Sequence, residues 1–145
     1  MQNILIVEDE PHIIRVMKLS LEENGYSINV AHNGEQALEK LNDGLPDLLI
    51  TDINMPRMSG LELLTKIRAD RNLNHLIVFV LTTSNDEKDK FEAFNMNVAG
   101  YMLKSDMGSS FIRAVELIDS YWRVVEFPDP SFRPQEESEA EPAMA

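Results

Sequence analysis

The chain has 145 residues, 43% of them hydrophobic and 26% charged, the size and balance of one globular domain with room for little more than a tail. It has no cysteine, which excludes disulfides, thiolate zinc sites, iron–sulfur centres and a cysteine nucleophile. Its formal net charge of −12 is the opposite of a nucleic-acid footprint and disfavours DNA, RNA and anionic membranes as partners.

The opening MQNILIVEDE has no basic n-region and no long apolar stretch, so it does not read as a signal peptide. No apolar run reaches the roughly 18 residues of a membrane span. A cytoplasmic protein is expected. Asn3–Val7 is a short apolar run rich in β-branched residues, the pattern of a strand buried on both faces. Pro11 follows at a helix first-turn position, Ile14, Met17 and Leu21 recur at helical spacing, and Gly25 closes the helix. Ser27–Ala31 reads as a second strand, and Asn33 caps a second helix carrying Ala37, Leu38 and Leu41. Asp47–Thr51 is the third expected strand. Ser59 and Glu62 have capping-box spacing before a third helix with Leu61, Leu64 and Ile67. Leu76–Leu81 reads as the fourth strand. Ser84 and Glu87 offer a second capping box for a helix through Phe91 and Phe94. Val98–Leu103 reads as the fifth strand, and a fifth helix runs from near Ser109 to about Val125. Residues 128–145 hold four prolines and several glutamates, the composition of a flexible acidic tail.

Five alternations of strand and helix with continuous apolar strands imply an α/β parallel sheet with helices on both faces. Ligand sites in such sheets lie beyond the carboxyl ends of the strands. Glu8, Asp9 and Glu10, then Asp52, then Thr82 and Thr83, then Lys104 fall at the ends of the first, third, fourth and fifth strands, so they converge on one edge. Acids this close repel one another unless protonated or neutralised by a cation. A hard divalent ion with oxygen ligands fits, Mg²⁺ above all, because it needs only one or two carboxylates. Adding an ammonium and a hydroxyl makes a phosphoryl site in which Asp52 is a candidate nucleophile. Taken singly, Asp9 or Glu10 could equally cap a helix, Asp52 could start a turn, and Lys104 could be solvated. Joint placement favours a site.

The segments IVEDE, TDINMPRMSG, VLTTS and GYMLKS, in this order, resemble the receiver domain of bacterial two-component response regulators. The resemblance covers residues 1 to about 126 and implies the flavodoxin-like strand order 2-1-3-4-5. It implies Asp52 as phosphoacceptor and Glu8 and Asp9 as the acidic pair at Mg²⁺, with Asp9 ligating directly and Glu8 mainly through water. The Asn54 backbone carbonyl completes that metal set. It further implies Thr82 as switch hydroxyl, Lys104 as active-site lysine, Tyr101 as the aromatic that turns inward, and Asn54 and Ser84 as residues tuning dephosphorylation. The family usually follows its lysine with proline, whereas Ser105 stands here. A cis Lys104–Ser105 bond would cost about 3 kcal/mol, so trans is expected unless surrounding strain holds it cis.

The implied function is a phosphorylation-dependent switch of a two-component phosphorelay, not a metabolic enzyme. It takes a phosphoryl group from a sensor histidine kinase and signals by protein contact, with no DNA-binding output domain expected. DSYWRVVEFP and LTTSND resemble a subgroup of stand-alone receivers paired with phytochrome-type kinases. Residues 1–127 form the receiver with an extended fifth helix, and 128–145 the tail. Phe111, Val115, Ile118, Trp122 and Val125 form one apolar stripe on that helix; Leu117, Tyr121 and Val124 form a second. One stripe faces the sheet. The leftover apolar surface predicts a homodimer through the fourth helix, fifth strand and fifth helix and the C-terminal extension, including Tyr121, Trp122, Val124 and Phe127. The competing readings fare worse. A phosphatase using Asp52 would want an acid where Asn54 stands, and an FMN carrier would need a phosphate loop where Glu8–Asp9–Glu10 stand. A pseudo-receiver would lack key residues that are all present here.

Overall fold

The computed structural model describes residues 2–82, 87–106 and 109–124. Ser84, Phe127 and the 128–145 tail lie outside the described residues, as do the side chains of Tyr121 and Trp122.

Five strands, β1 (Asn3–Val7), β2 (Ser27–Ala31), β3 (Leu48–Asp52), β4 (Val78–Thr82) and β5 (Gly100–Leu103), form one parallel sheet in the order β2-β1-β3-β4-β5. The helices are α1 (Pro11–Glu23), α2 (Gly34–Asp43), α3 (Gly60–Ala69), α4 (Glu87–Phe94) and α5 (Ser109–Val124), with a 3-10 turn at Lys104–Asp106. This is the expected flavodoxin-like order.

Alternation along each strand divides the core into two layers. Ile4 and Ile6 of β1, Leu48 and Ile50 of β3 and Phe79 and Leu81 of β4 pack with Met17 and Leu21 of α1 and Val115 of α5. Leu5, Val7, Leu49, Val78 and Val80 face the other way, against Ala37 and Leu41 of α2, Leu63, Leu64 and Ile67 of α3 and Ala93 of α4. Both faces of the central strands are therefore apolar, which explains their unbroken hydrophobic runs.

Local signals set the helix ends. The Asn33 side chain accepts from the Gln36 amide at 2.9 Å, and Ser59 and Glu62 form the expected reciprocal capping box. Pro11 opens α1, and Gly25 turns the chain at φ 93°, a left-handed angle that glycine adopts without cost.

Three strands differ from their sequence-based bounds. β3 runs one residue later than Asp47–Thr51, because the Asp47 carboxylate accepts the Gln2 and Asn3 amides while Asp52 pairs in register with Leu81. β4 begins at Val78 rather than Leu76 and ends at Thr82. Leu76 is buried but lies outside the strand: its amide donates to the Leu73 carbonyl and its carbonyl accepts from Arg68. β5 starts at Gly100 rather than Val98. Asp52 and Thr82 are thus the last residues of their strands instead of the first beyond them. No cis peptide occurs among the described residues, so Lys104–Ser105 is trans.

Candidate functional site

The carboxyl ends of β1, β3, β4 and β5 place the chemistry on one edge. Glu8 leaves β1 with its amide donating to the Ala31 carbonyl at 3.0 Å, and its side chain is fully buried. Its Oε2 accepts the Asp9 amide at 3.2 Å and the Glu10 amide at 3.1 Å. Asp52 is buried at the end of β3, and its Oδ1 accepts the Asn54 amide at 3.3 Å. Thr82 is buried at the end of the neighbouring β4.

Lys104 reaches across from the end of β5. Its Nζ lies 2.9 Å from Asp52 Oδ2, 3.1 Å from Glu8 Oε2 and 3.4 Å from Glu10 Oε1. Burial raises the Asp52 carboxyl above its usual range, opposed by the Lys104 ammonium. Burial, then the Asp52 charge, pushes Glu8 up to about 7, opposed by the Glu10 amide and Lys104. Burial works against the Lys104 ammonium, but Asp52 and Glu8 outweigh it and hold its pKa above the ordinary lysine value. The site therefore carries more negative charge than one ammonium can balance.

A cation fits that imbalance. Carboxylate oxygens of Glu8, Asp9 and Asp52 lie within 4.8 Å of one another, and the buried Glu8 Oε1 accepts no hydrogen bond from the described residues. An all-oxygen donor set with one exposed member suits a hard divalent ion that keeps part of its water shell. A carboxylate nucleophile beside an ammonium and a cation site can accept and stabilise a phosphoryl group.

The structure brings Glu8, Asp9, Asp52 and Lys104 together as the sequence predicted. Asn54 is exposed two residues beyond Asp52. Tyr101 stands apart: it is half-buried, packs against the α2–α3 layer, and its hydroxyl donates to the Lys90 carbonyl of α4. Ser84 lies outside the described residues. Two features escaped the sequence reading. The first is Glu10, open in the sequence to capping a helix, whose carboxylate contacts Lys104 instead. The second is Gly60, where a β-carbon would lie 2.1 Å from the Asp52 carbonyl oxygen. Only glycine lets the start of α3 sit directly behind the end of β3. Its place at the start of a helix, eight residues after Asp52, is the one signal the sequence offers.

The Response regulator receiver domain family matches residues 4–116. The chain belongs to this family, and is thereby a receiver domain of the two-component type, a class of phosphorylation-dependent signalling switches that interact with sensor histidine kinases. It is 39% identical over 102 residues to the chemotaxis protein CheY of Pseudomonas aeruginosa, covering 70% of this chain and 82% of that protein. It is 31% identical over 103 residues to the alkaline phosphatase synthesis transcriptional regulatory protein PhoP of Bacillus subtilis, covering 71% of this chain. It spans only 42% of PhoP, and less than half of several similar relatives.

Among solved structures, the phosphorylated cyanobacterial phytochrome response regulator RcpA superposes with a TM-score of 0.74 at 29% identity, over 88% of this chain and 99% of that one. The response regulator TrrA of Thermotoga maritima in complex with Mg²⁺-BeF superposes at 0.69 with 34% identity, over 81% of this chain and 99% of that one.

Proposed function

We propose that Asp52 is the phosphoacceptor of this receiver and that Glu8, Asp9, Asp52 and the Asn54 backbone carbonyl hold Mg²⁺. The observation that carries this reading is the Lys104 ammonium, 9% exposed, bridging the buried Asp52 and Glu8 carboxylates across three strand ends. The TrrA complex with Mg²⁺-BeF supports the choice of ion. When bound, the ion offsets negative charge on the phosphoryl oxygens.

An Asp52 carboxylate oxygen attacks phosphorus, the P–N bond to the kinase's histidine breaks, and the imidazole leaves with the bonding pair and takes up a proton. Lys104 and Thr82 bond phosphoryl oxygens of the resulting acyl phosphate. Thr82 moves toward the phosphoryl group and Tyr101 turns inward, reshaping the α4–β5–α5 face by favouring a conformation already accessible. Asn54 and Ser84 gate the water that hydrolyses the acyl phosphate. The domain catalyses these two steps on itself and turns over no metabolite.

In this reading the protein acts in the cytoplasm and its phosphodonor is a sensor histidine kinase. Similarity to RcpA favours a phytochrome-type kinase. Residues 1–127 act as the receiver and 128–145 as an acidic tail. Output is protein contact, including a homodimer through α4–β5–α5 and the C-terminal extension with Tyr121, Trp122, Val124 and Phe127. Exposed Phe94 on α4 and Leu117 and Val124 on α5 support that interface.

Intact-mass measurement with acetyl phosphate and Mg²⁺ tests the phosphoryl chemistry. Wild type gains one phosphoryl mass and Asp52→Ala gains none. Equal gain in both, or none in wild type, refutes the assignment.

A further inference from the structure

Glu10 is the one member of the acidic run to which the reading above gives no task. It is the N-cap residue of α1, yet its side chain makes no capping hydrogen bond. Its carboxylate, 57% exposed, instead reaches 3.4 Å to Lys104 Nζ. A lysine ammonium has three N–H donors. Asp52, Glu8 and Glu10 supply three acceptors, so all of Lys104's donor capacity is engaged before any phosphoryl group arrives.

These three acceptors fare differently when a phosphoryl group enters. Asp52 becomes the acyl phosphate. Glu8 belongs to the cation set, which draws its charge away from Lys104. Glu10 lies outside that set and keeps its charge and its reach. It is also the most distant and most exposed of the three, hence the easiest to displace.

We propose that Glu10 is a positioning residue that acts through Lys104, occupying its third donor in the unphosphorylated protein and so restraining phosphoryl transfer to Asp52. Transfer then requires Lys104 to exchange Glu10 for a phosphoryl oxygen. This rests on Asp52 being the phosphoacceptor. The contact is partly exposed, so its effect on rate is modest, about two- to fivefold.

Two variants separate this from a general charge effect at the mouth of the site. Glu10→Gln removes the charge. Glu10→Asp keeps it but shortens the side chain and favours a cap on the α1 amides, drawing the carboxylate off Lys104. The first readout is the rate of phosphorylation by acetyl phosphate with Mg²⁺. The second, in metal-free protein, is the rate at which Lys104 is acylated by an N-hydroxysuccinimide ester, followed by peptide mass mapping. Both rates rise about two- to fivefold in both variants. An increase confined to Glu10→Gln shows charge at the mouth alone and overturns the proposal, as does no change or a decrease in either variant. If wild type takes up no phosphoryl group, the Asp52 assignment fails by itself, while the acylation rates still decide whether Glu10 restrains Lys104.

Discussion

Single residues carry the charge balance of this site, and Glu8 carries its sharpest consequence. Its carboxyl titrates near 4.5 in the unfolded chain and is pushed up to about 7 in the fold by burial and by Asp52. Between those values the folded protein keeps a proton that the unfolded chain has released, so stability falls as pH rises through that window. Asp52, also raised by burial, acts in the same direction. With metal chelated, the melting temperature is expected to drop from pH 5 to pH 7.5, reflecting up to about 3 kcal/mol from Glu8. Glu8→Gln should flatten the profile, and thermal denaturation at the two pH values checks both statements. A wild-type Tm that climbs with pH would contradict them. Glu8, Asp9, Asp52 and Lys104 were legible in the sequence because each stands at a strand's carboxyl end. The Glu10–Lys104 contact was not, since neither spacing nor composition shows which acid a flexible lysine reaches.

Whole elements followed their sequence signals where those signals were local. Asn33, Ser59 with Glu62, and Pro11 marked helix starts because capping is a contact between near neighbours. Strand ends were less legible. Leu76 is as apolar as any strand residue, but its carbonyl is taken by a side chain eight positions away. That side chain, Arg68 at the end of α3, donates to four backbone carbonyls. Nε bonds Met96 at 2.7 Å, Nη1 bonds Asn74 at 2.9 Å and Leu76 at 2.8 Å, and Nη2 bonds Asn97 at 3.0 Å. It ties α3 to the segments leading into β4 and β5. Arg68→Met strips all four carbonyls of a charged donor and should cost about 2–4 kcal/mol. Urea denaturation reads that loss directly. A change near zero would mean that water replaces the guanidinium at no cost.

At the scale of the molecule, the doubly wound sheet explains why so much was legible. Short unbroken apolar runs rich in β-branched residues and bounded by turns read as strands covered on both faces, and that requirement sets the layers before any side chain is placed. The dimer is a different matter, because a surface stripe does not name what covers it. Leu117 is 67% and Val124 82% exposed, both on the second of the two apolar stripes of α5. If this face joins two copies, Leu117→Glu with Val124→Glu should shift a dimeric species to monomer in light scattering while leaving the thermal transition nearly unchanged. Wild type monomeric with and without acetyl phosphate would sink the dimer. The central claim is narrower still, that Asp52 itself bears the phosphoryl group. Borohydride reduction converts an aspartyl phosphate to homoserine, and tandem mass spectrometry of the digested protein locates it. Homoserine at position 52 alone is the predicted result. Homoserine at Asp9, a reduced side chain at Glu8, or none at all after acetyl phosphate and Mg²⁺ would contradict it.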